Sequence, residues 1–349
     1  MSAVMNAPTA AAVEHSEGVW HAAWRRFKMD RIGLASAVIV LAFLLLIVFA
    51  AVGLVAKNWQ KEVGVANAPP TFIGPRPPEA IGIIEVPKGP NVDLSAIDPL
   101  APRYKEWDER AAKFKTEEVI KAETLPMGGD RFGRDVLSKA IKGTQISVFV
   151  GVMAALVATL IGTVLGALSG FFGGKVGDFL EWLYNVFEAI PGILLIFAFA
   201  AVFGRGIGTV VLILGLTGWS GLYRQVRSEF IKHRGREYVR SAEAIGASVW
   251  RRMFTHILPN VSHVVLVRMS ILVVGFIKAE VILSYLGLGV GVDDVSWGTM
   301  LAEAQSELIL GHWWQLAAAT VFMALFVTAF SLMTDALRDA LDPKLRGLE

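Results

Sequence analysis

Six stretches of the chain are apolar for long enough to suggest helices that cross a bilayer, and polar residues collect between them. The first, Ile32–Val55, reads "IGLASAVIVLAFLLLIVFAAVGLV" and carries no charge. About 20 helical residues span the hydrocarbon, so this segment crosses with ease. The second, Ile146–Leu168, is also uncharged. The third, Glu181–Phe203, is interrupted by Glu188 and Pro191, and the fourth, Ile207–Tyr223, is short and rich in Gly. The fifth, Val261–Leu286, carries Arg268, Lys278 and Glu280. The sixth, Leu316–Met333, is entered through Trp313 and Trp314, side chains suited to the headgroup level. In the second span Gly162, Gly166 and Gly170 form a small-residue ridge that lets another helix approach closely, without saying whether that helix belongs to the same chain.

Composition agrees with this pattern: 54% of the 349 residues are hydrophobic and 18% charged, and the mean hydropathy is +0.54. These values predict an all-α, multi-pass membrane protein rather than a soluble globule. About 30 residues precede the first apolar run, which is too long for the 7–15-residue apolar core of a signal peptide, so it reads as a retained anchor. The net charge of +2 matters less than its distribution. Arg25, Arg26, Lys28 and Arg31 precede the first span, and Arg338, Lys344 and Arg346 follow the sixth. The loop 224–260 holds eight Lys and Arg against three Glu, whereas 287–311 holds four acidic residues and no Lys or Arg. The positive-inside rule then puts both termini and 224–260 in the cytoplasm, and 56–143 and 287–311 outside.

This divides the chain into a leader (1–31), a first span (32–55), an external insertion (56–143), a core (144–334) containing the basic loop, and a tail (335–349). The insertion begins Pro-rich, "APPTFIGPRPPEA", and continues as "RYKEWDERAAKFKTEEVIKAE". That second part predicts a helix with Tyr104, Trp107, Ala111 and Phe114 on one face, packing on the external loops, and with Glu106/Arg110 and Glu109/Lys113 as i,i+4 pairs.

Several chemistries are excluded. The chain has no Cys, so no disulfide, Cys-bound metal or thiol nucleophile is available. No G-x-x-x-x-G-K-[ST] occurs; "GGKVG" at 173–177 lacks the first Gly and the hydroxyl residue. The six His are scattered and none forms H-E-x-x-H, so metal catalysis has no support. "GWSG" at 218–221 resembles the serine motif of rhomboid proteases, but the sixth span carries no His to act as base, which leaves Ser220 as a small residue in a packed helix.

The basic loop is the most structured part of the polar remainder. "REYVRSAEAIG" favours a helix that stops at Gly246, and Ser248 can cap a second helix, "VWRRMFTHIL", ended by Pro259. Ala242, Ala244, Ile245 and Ala247 leave a low surface on the first helix, flanked by Arg. From pattern alone the loop also fits a basic amphipathic segment lying on anionic lipid.

The residues "YVRSAEAIGASVWRRMFTHILPN" resemble the EAA loop of the permease subunits of bacterial ABC importers, in the form used by the dipeptide/oligopeptide/nickel family. "MGGDRFGRDVLSKAIKGTQIS" is similar to that family's motif through Gly128, Asp130, Gly133, Arg134, Asp135, Leu137, Ser138, Gly143 and Ser147. "AEVILSYLGLG", "SWGTMLAEA" and "LRDALDP" follow in the family's order, and the leader "WRRFKMDRIGLAS" resembles its C-type subunit. Departures are local. Arg240 and Ser241 stand for the Glu and first Ala of the triplet, Gln145 for a usual Arg and Val295 for a usual Pro, and the insertion is longer than in common dipeptide permeases.

The resemblance implies the six-helix type I permease fold in a bacterial inner membrane, working as a transport subunit rather than an enzyme. It implies four partners besides the bilayer: a homologous B-type permease chain, two ATPase subunits and an external solute-binding protein. It implies no cofactor in this chain, ATP and Mg being held by the ATPases, and no nucleic acid. Arg240, Ser241, Ala242, Glu243, Ala244, Ile245, Gly246 and Ala247, with Leu258 and Pro259, would form the coupling element seated in an ATPase. Charged groups inside spans usually face a cavity or partner, so Glu188 beside Pro191, and Glu280, are candidates for the pathway; a structural hydrogen bond is the other reading of Glu188. An ATP-independent channel or secondary carrier is the alternative function; a carrier would more often show an inverted repeat, and none is evident.

Overall fold

The computed structural model describes residues 19–75, 98–111 and 121–341. The leader before residue 19, Phe114, Lys113, the tail residues Lys344 and Arg346, and Pro343 lie outside the described residues. The regular elements of the described chain are helices, with four isolated bridges and no named strand among the described residues.

Helix α1 (Val19–Met29) leads into α2 (Arg31–Val52) across Asp30, whose carboxylate caps α2 by accepting from the Ile32 N–H. α1 tucks against the far end of α12 (Trp314–Leu341), where Phe27 packs on Ala336 and Ala340. The first and last helices therefore meet at one end of the molecule. α2 is apolar all round and mostly exposed, as expected of a helix that faces lipid.

Helix α4 (Val136–Phe172) is the axis of the fold; it contacts α2, α12, α5 (Gly174–Glu188), α7 (Ile207–Thr217), α8 (Ser220–Arg234), α10 (Leu258–Tyr285) and α11 (Trp297–Ile309). It starts ten residues before the expected span because Asp135 caps it, accepting from the Leu137 and Ser138 N–H groups. The expected insertion boundary at 143 thus falls inside α4. With 37 residues the helix is about 55 Å long, well beyond the hydrocarbon. Its Gly ridge faces α8 (Ser220–Arg234) of the same chain: a Cβ on Gly162, Gly166 or Gly170 would lie 2.5–2.8 Å from the carbonyls of Trp219, Tyr223 and Arg227.

Between these helices the chain breaks twice. α5 (Gly174–Glu188) and α6 (Gly192–Phe203) meet at 84°, and α7 (Ile207–Thr217) and α8 at 42°. Pro191 explains the sharper break, because it lacks an N–H and its ring collides with the carbonyl four residues back. Three helices, α2, α4 and α12, are long and apolar enough to cross a membrane, and the two bent pairs raise the count to five. α10 (Leu258–Tyr285) occupies the fifth expected span but stands outside that set.

The described part of the insertion folds back on itself. Residues 62–70 bridge to 122–134 through Glu62–Arg134, Gly64–Ala122 and Pro70–Leu125. Helix α3 (Ala101–Ala111) carries the expected Glu106–Arg110 pair at 2.7 Å. Its Tyr104 and Trp107 pack on each other yet stay 47% and 41% exposed, so the expected burial of that face is not seen among the described residues.

Candidate functional site

The basic loop folds as the sequence suggests up to one point. α9 (Glu237–Ala244) ends in a Schellman motif: the Gly246 N–H bonds the Glu243 carbonyl and the Ala247 N–H bonds the Ala242 carbonyl, both at 2.9 Å. Gly246 has φ +83°, a region costly for residues with a Cβ. Ser248 then caps the next turn, its hydroxyl accepting from the Arg251 N–H.

Pro259 does not end that second helix. Residues Arg251–Ile257 form a π segment, and the chain runs on as α10 with Pro259 in its first turn, where a missing N–H leaves no bond unmade. The wider turn lets the Leu258 N–H reach the Met253 carbonyl, and Asn260 Nδ2 donates to the His256 carbonyl at 2.7 Å. The loop and the fifth span are therefore one continuous rod.

The loop is anchored hard. Val239 of α9 and Met253 and Ile257 of the π segment join Phe230, Val226 and Leu222 of α8 and Ala167 and Phe171 of α4 in one buried cluster. Leu258 packs on the same cluster, while Pro259 is exposed. Arg252 ties the π segment to α9 through Glu243 at 2.6 Å. Ala242, expected on the smooth outer surface, is buried instead and faces this anchor. The outward surface consists of Arg240, Ser241, Ala244, Gly246 and Ile245, which is 86% exposed, with half-covered Ala247 beside Trp250.

The pathway candidates separate. Glu188, at the end of α5, is exposed and accepts from Ser220 Oγ at 2.7 Å, so the serine of "GWSG" joins the two broken helix pairs. Pro191 is exposed at the break. Glu280 is fully buried, away from any open face: Ser284 Oγ donates to it at 2.6 Å, and the same hydroxyl accepts from the Val290 N–H. Nearby, Ser147 of α4 accepts from the Trp297 N–H at the start of α11 (Trp297–Ile309). Lys278, two residues before Glu280, points outward.

A second polar centre was not anticipated. At the N-terminal end of α4, Lys139 is fully buried; its ammonium contacts Asp130 at 2.8 Å, Glu303 of α11, and Gln315 of α12 at 3.2 Å. Asp130 also accepts from the Phe132 and Arg134 N–H groups and pairs with Arg134 at 3.2 Å. Glu307 accepts from the Arg131 N–H at 3.0 Å, and its burial raises the carboxyl above the ordinary range against the opposing pull of that N–H and Lys139. The only sequence signal was Lys139 itself, one turn into a helix whose approach is rich in Asp.

A family model described as "Binding-protein-dependent transport system inner membrane component" matches residues 162–347. A second, "N-terminal TM domain of oligopeptide transport permease C", matches residues 18–70. A dipeptide transport system permease protein of Bacillus subtilis is 35% identical over 219 residues, 63% of this chain and 68% of that protein. An oligopeptide transport system permease protein of the same organism is 34% identical over 251 residues, covering 70% and 80%. A glutathione transport system permease protein of Salmonella typhimurium is 31% identical over 329 residues, covering 94% and 91%.

Proposed function

This chain belongs to the family of binding-protein-dependent transport system inner membrane components and is a permease subunit of an ABC importer, and we propose that it couples peptide passage to a separate ATPase through α9. It is a multi-pass inner-membrane protein. The proposed cargo is a di- or oligopeptide or a related solute such as glutathione, by analogy with the relatives' names. The proposed partners are a homologous second permease chain, two ATPase subunits that hold ATP and Mg, and an external binding protein. The cytoplasmic placement of both termini rests on the Lys and Arg distribution, and the packing of α1 on the end of α12 supports a common side for them.

The observation that carries the coupling reading is the mechanical state of the loop. The end of α9 and its cap present Ala244, Ile245 and Gly246 outward, while the inner face of α9 is bolted to α4 and α8. A partner that grips the outer face moves a rigid body, and the continuous π segment and α10 carry the displacement into the membrane. Glu188, Pro191 and Ser220 sit where two bent helix pairs leave an exposed polar spot, which supports a place on the pathway wall; in this reading Glu280 is a structural residue of the outer end.

Replacing Ala244 with Trp puts a large ring on the docking surface without touching the anchor. The expected outcome is normal membrane insertion, loss of transport, and at least a tenfold fall in ATPase stimulation by loaded binding protein, equivalent to about 1.4 kcal/mol of coupling. Full stimulation by reconstituted Ala244→Trp complexes would refute the coupling role. Activity of the single chain in liposomes without ATPases would favour a carrier.

A further inference from the structure

Beside α9 lies a cleft of about 500 Å³, which meets the outward surface only at Arg240. Its walls are the last turn of α4, α8, α9 and the π segment. Four arginines line it, Arg227, Arg234, Arg240 and Arg252. Two carboxylates answer them: Glu243 on Arg252, and Glu181 on Arg227 at 3.1 Å. Arg234 and Arg240 make no ion pair among the described residues. Arg252 keeps a buried Nε with no hydrogen-bond partner. Phe171, itself buried, forms the floor, and the guanidinium groups of Arg252 and Arg234 lie 5.5 and 6.0 Å from its ring centroid. The ring face attracts both cations and limits their freedom before any ligand arrives.

The partial negative charge at the C-terminus of α4 offsets about half a charge of this excess. The remainder is a concave group of planar donors at the end of a long membrane helix. Guanidinium forks match the oxygens of a phosphate with two bonds to each fork, as they match a carboxylate, and a phosphate has enough oxygens to engage more than one fork at once.

We propose that this cleft is a phosphate-binding site, taking the phosphate group of an acidic phospholipid or of a soluble phosphate compound. α4 ends at Phe172 and the expected apolar span at Leu168, which puts the mouth at the depth of the headgroups. Occupation has a consequence for α9. A phosphate bound to Arg252 competes with Glu243, the ion pair that ties α9 to the π segment. The cleft can therefore loosen or stiffen the outward surface from behind. Phosphate binding at this cleft requires no transport, so a binding measurement alone tests it.

The full-length chain, purified in detergent with equal amounts of phosphatidylglycerol and phosphatidylcholine, is examined by native mass spectrometry for retained lipid. A second arm titrates inorganic pyrophosphate into nanodiscs of phosphatidylcholine by calorimetry. Arg234→Glu is compared with Lys232→Glu, which makes the same charge change on α8 outside the cleft. The site predicts that Arg234→Glu weakens binding about tenfold, the scale of one charge-assisted contact, and that Lys232→Glu leaves it within about twofold. Selective loss in the lipid arm alone identifies a headgroup, and in the pyrophosphate arm alone or in both identifies a soluble phosphate. Equal effects of the two reversals, or none in either arm, overturn the site. If Arg234→Glu fails to fold, Arg234→Gln serves, with a loss of about threefold expected.

Discussion

The two ends of α4 are held in opposite ways. At the end that carries α9, the fastening is an apolar plug of Val239, Met253, Ile257 and Phe230, with the Glu243–Arg252 ion pair at its rim. At the other end, a buried ammonium, Lys139, joins three helices through Asp130, Glu303 and Gln315. Apolar packing has little directional preference, so an element held that way can be moved as a body while its contacts persist. A buried charge network has few satisfactory geometries and a high cost for partial ones. The first suits the surface that receives motion under the proposed coupling, and the second suits an end whose shape stays constant.

The comparison is broken most severely at Lys139. Lys139→Met leaves Asp130 buried beside a methyl, and losing one partner of a buried pair costs about 3–5 kcal/mol. We expect a large fall in the thermal midpoint of the purified chain, with much of it restored by adding Asp130→Asn. A single variant as stable as wild type would mean that the outer end is not held by charge. At the other end, Ile257→Ala removes a fully buried side chain, with an expected loss of about 2–5 kcal/mol. Here a second Asn or Ser substitution nearby should give no rescue, since no charge is left unpaired. Rescue in both places, or in neither, would erase the distinction.

A smaller effect separates the plug from its rim. Glu243 is 61% exposed, so its pair with Arg252 is worth at most about 1 kcal/mol. Glu243→Gln should barely change the thermal midpoint but should raise hydrogen exchange in α9 relative to α8. If α9 exchanges no faster, the apolar plug alone sets its position.

These contrasts also explain what the sequence could and could not reveal. The apolar runs, the Gly ridge, the Gly246 stop and the Ser248 cap were legible because each is a local pattern with one physical solution. The extension of α4 to Val136 was missed because hydropathy finds membrane, whereas Asp135 starts the helix outside it. The continuity past Pro259 was missed because a proline is read as a stop, and only the π register turns it into a first-turn residue. Lys139 was unreadable for a different reason: two of its partners, Glu303 and Gln315, lie 164 and 176 positions away. Glu280 shows the converse, a charged residue in a span that points to a pathway by rule but is clasped by Ser284 one turn along.

The subtlest test concerns Glu307, at the edge of the outer network. Its burial raises its carboxyl pKa above the ordinary value, outweighing the Arg131 N–H and the charge of Lys139, and the charges of Asp130 and Glu303 push the same way as burial. The folded state therefore holds this proton more tightly than the unfolded chain does. Stability contributed by the protonated form is present in acid and falls as pH rises from the ordinary carboxylate value through the raised one. Glu307→Gln replaces the charged form by a neutral isostere, so it should flatten that part of the stability–pH curve and stabilise the outer end slightly above the window. The apolar plug at the other end of α4 contributes no such slope, and Ile257→Ala should lower the curve without changing its shape. A Glu307→Gln curve parallel to wild type across the whole acid range would show that the outer network does not respond to protons at this residue.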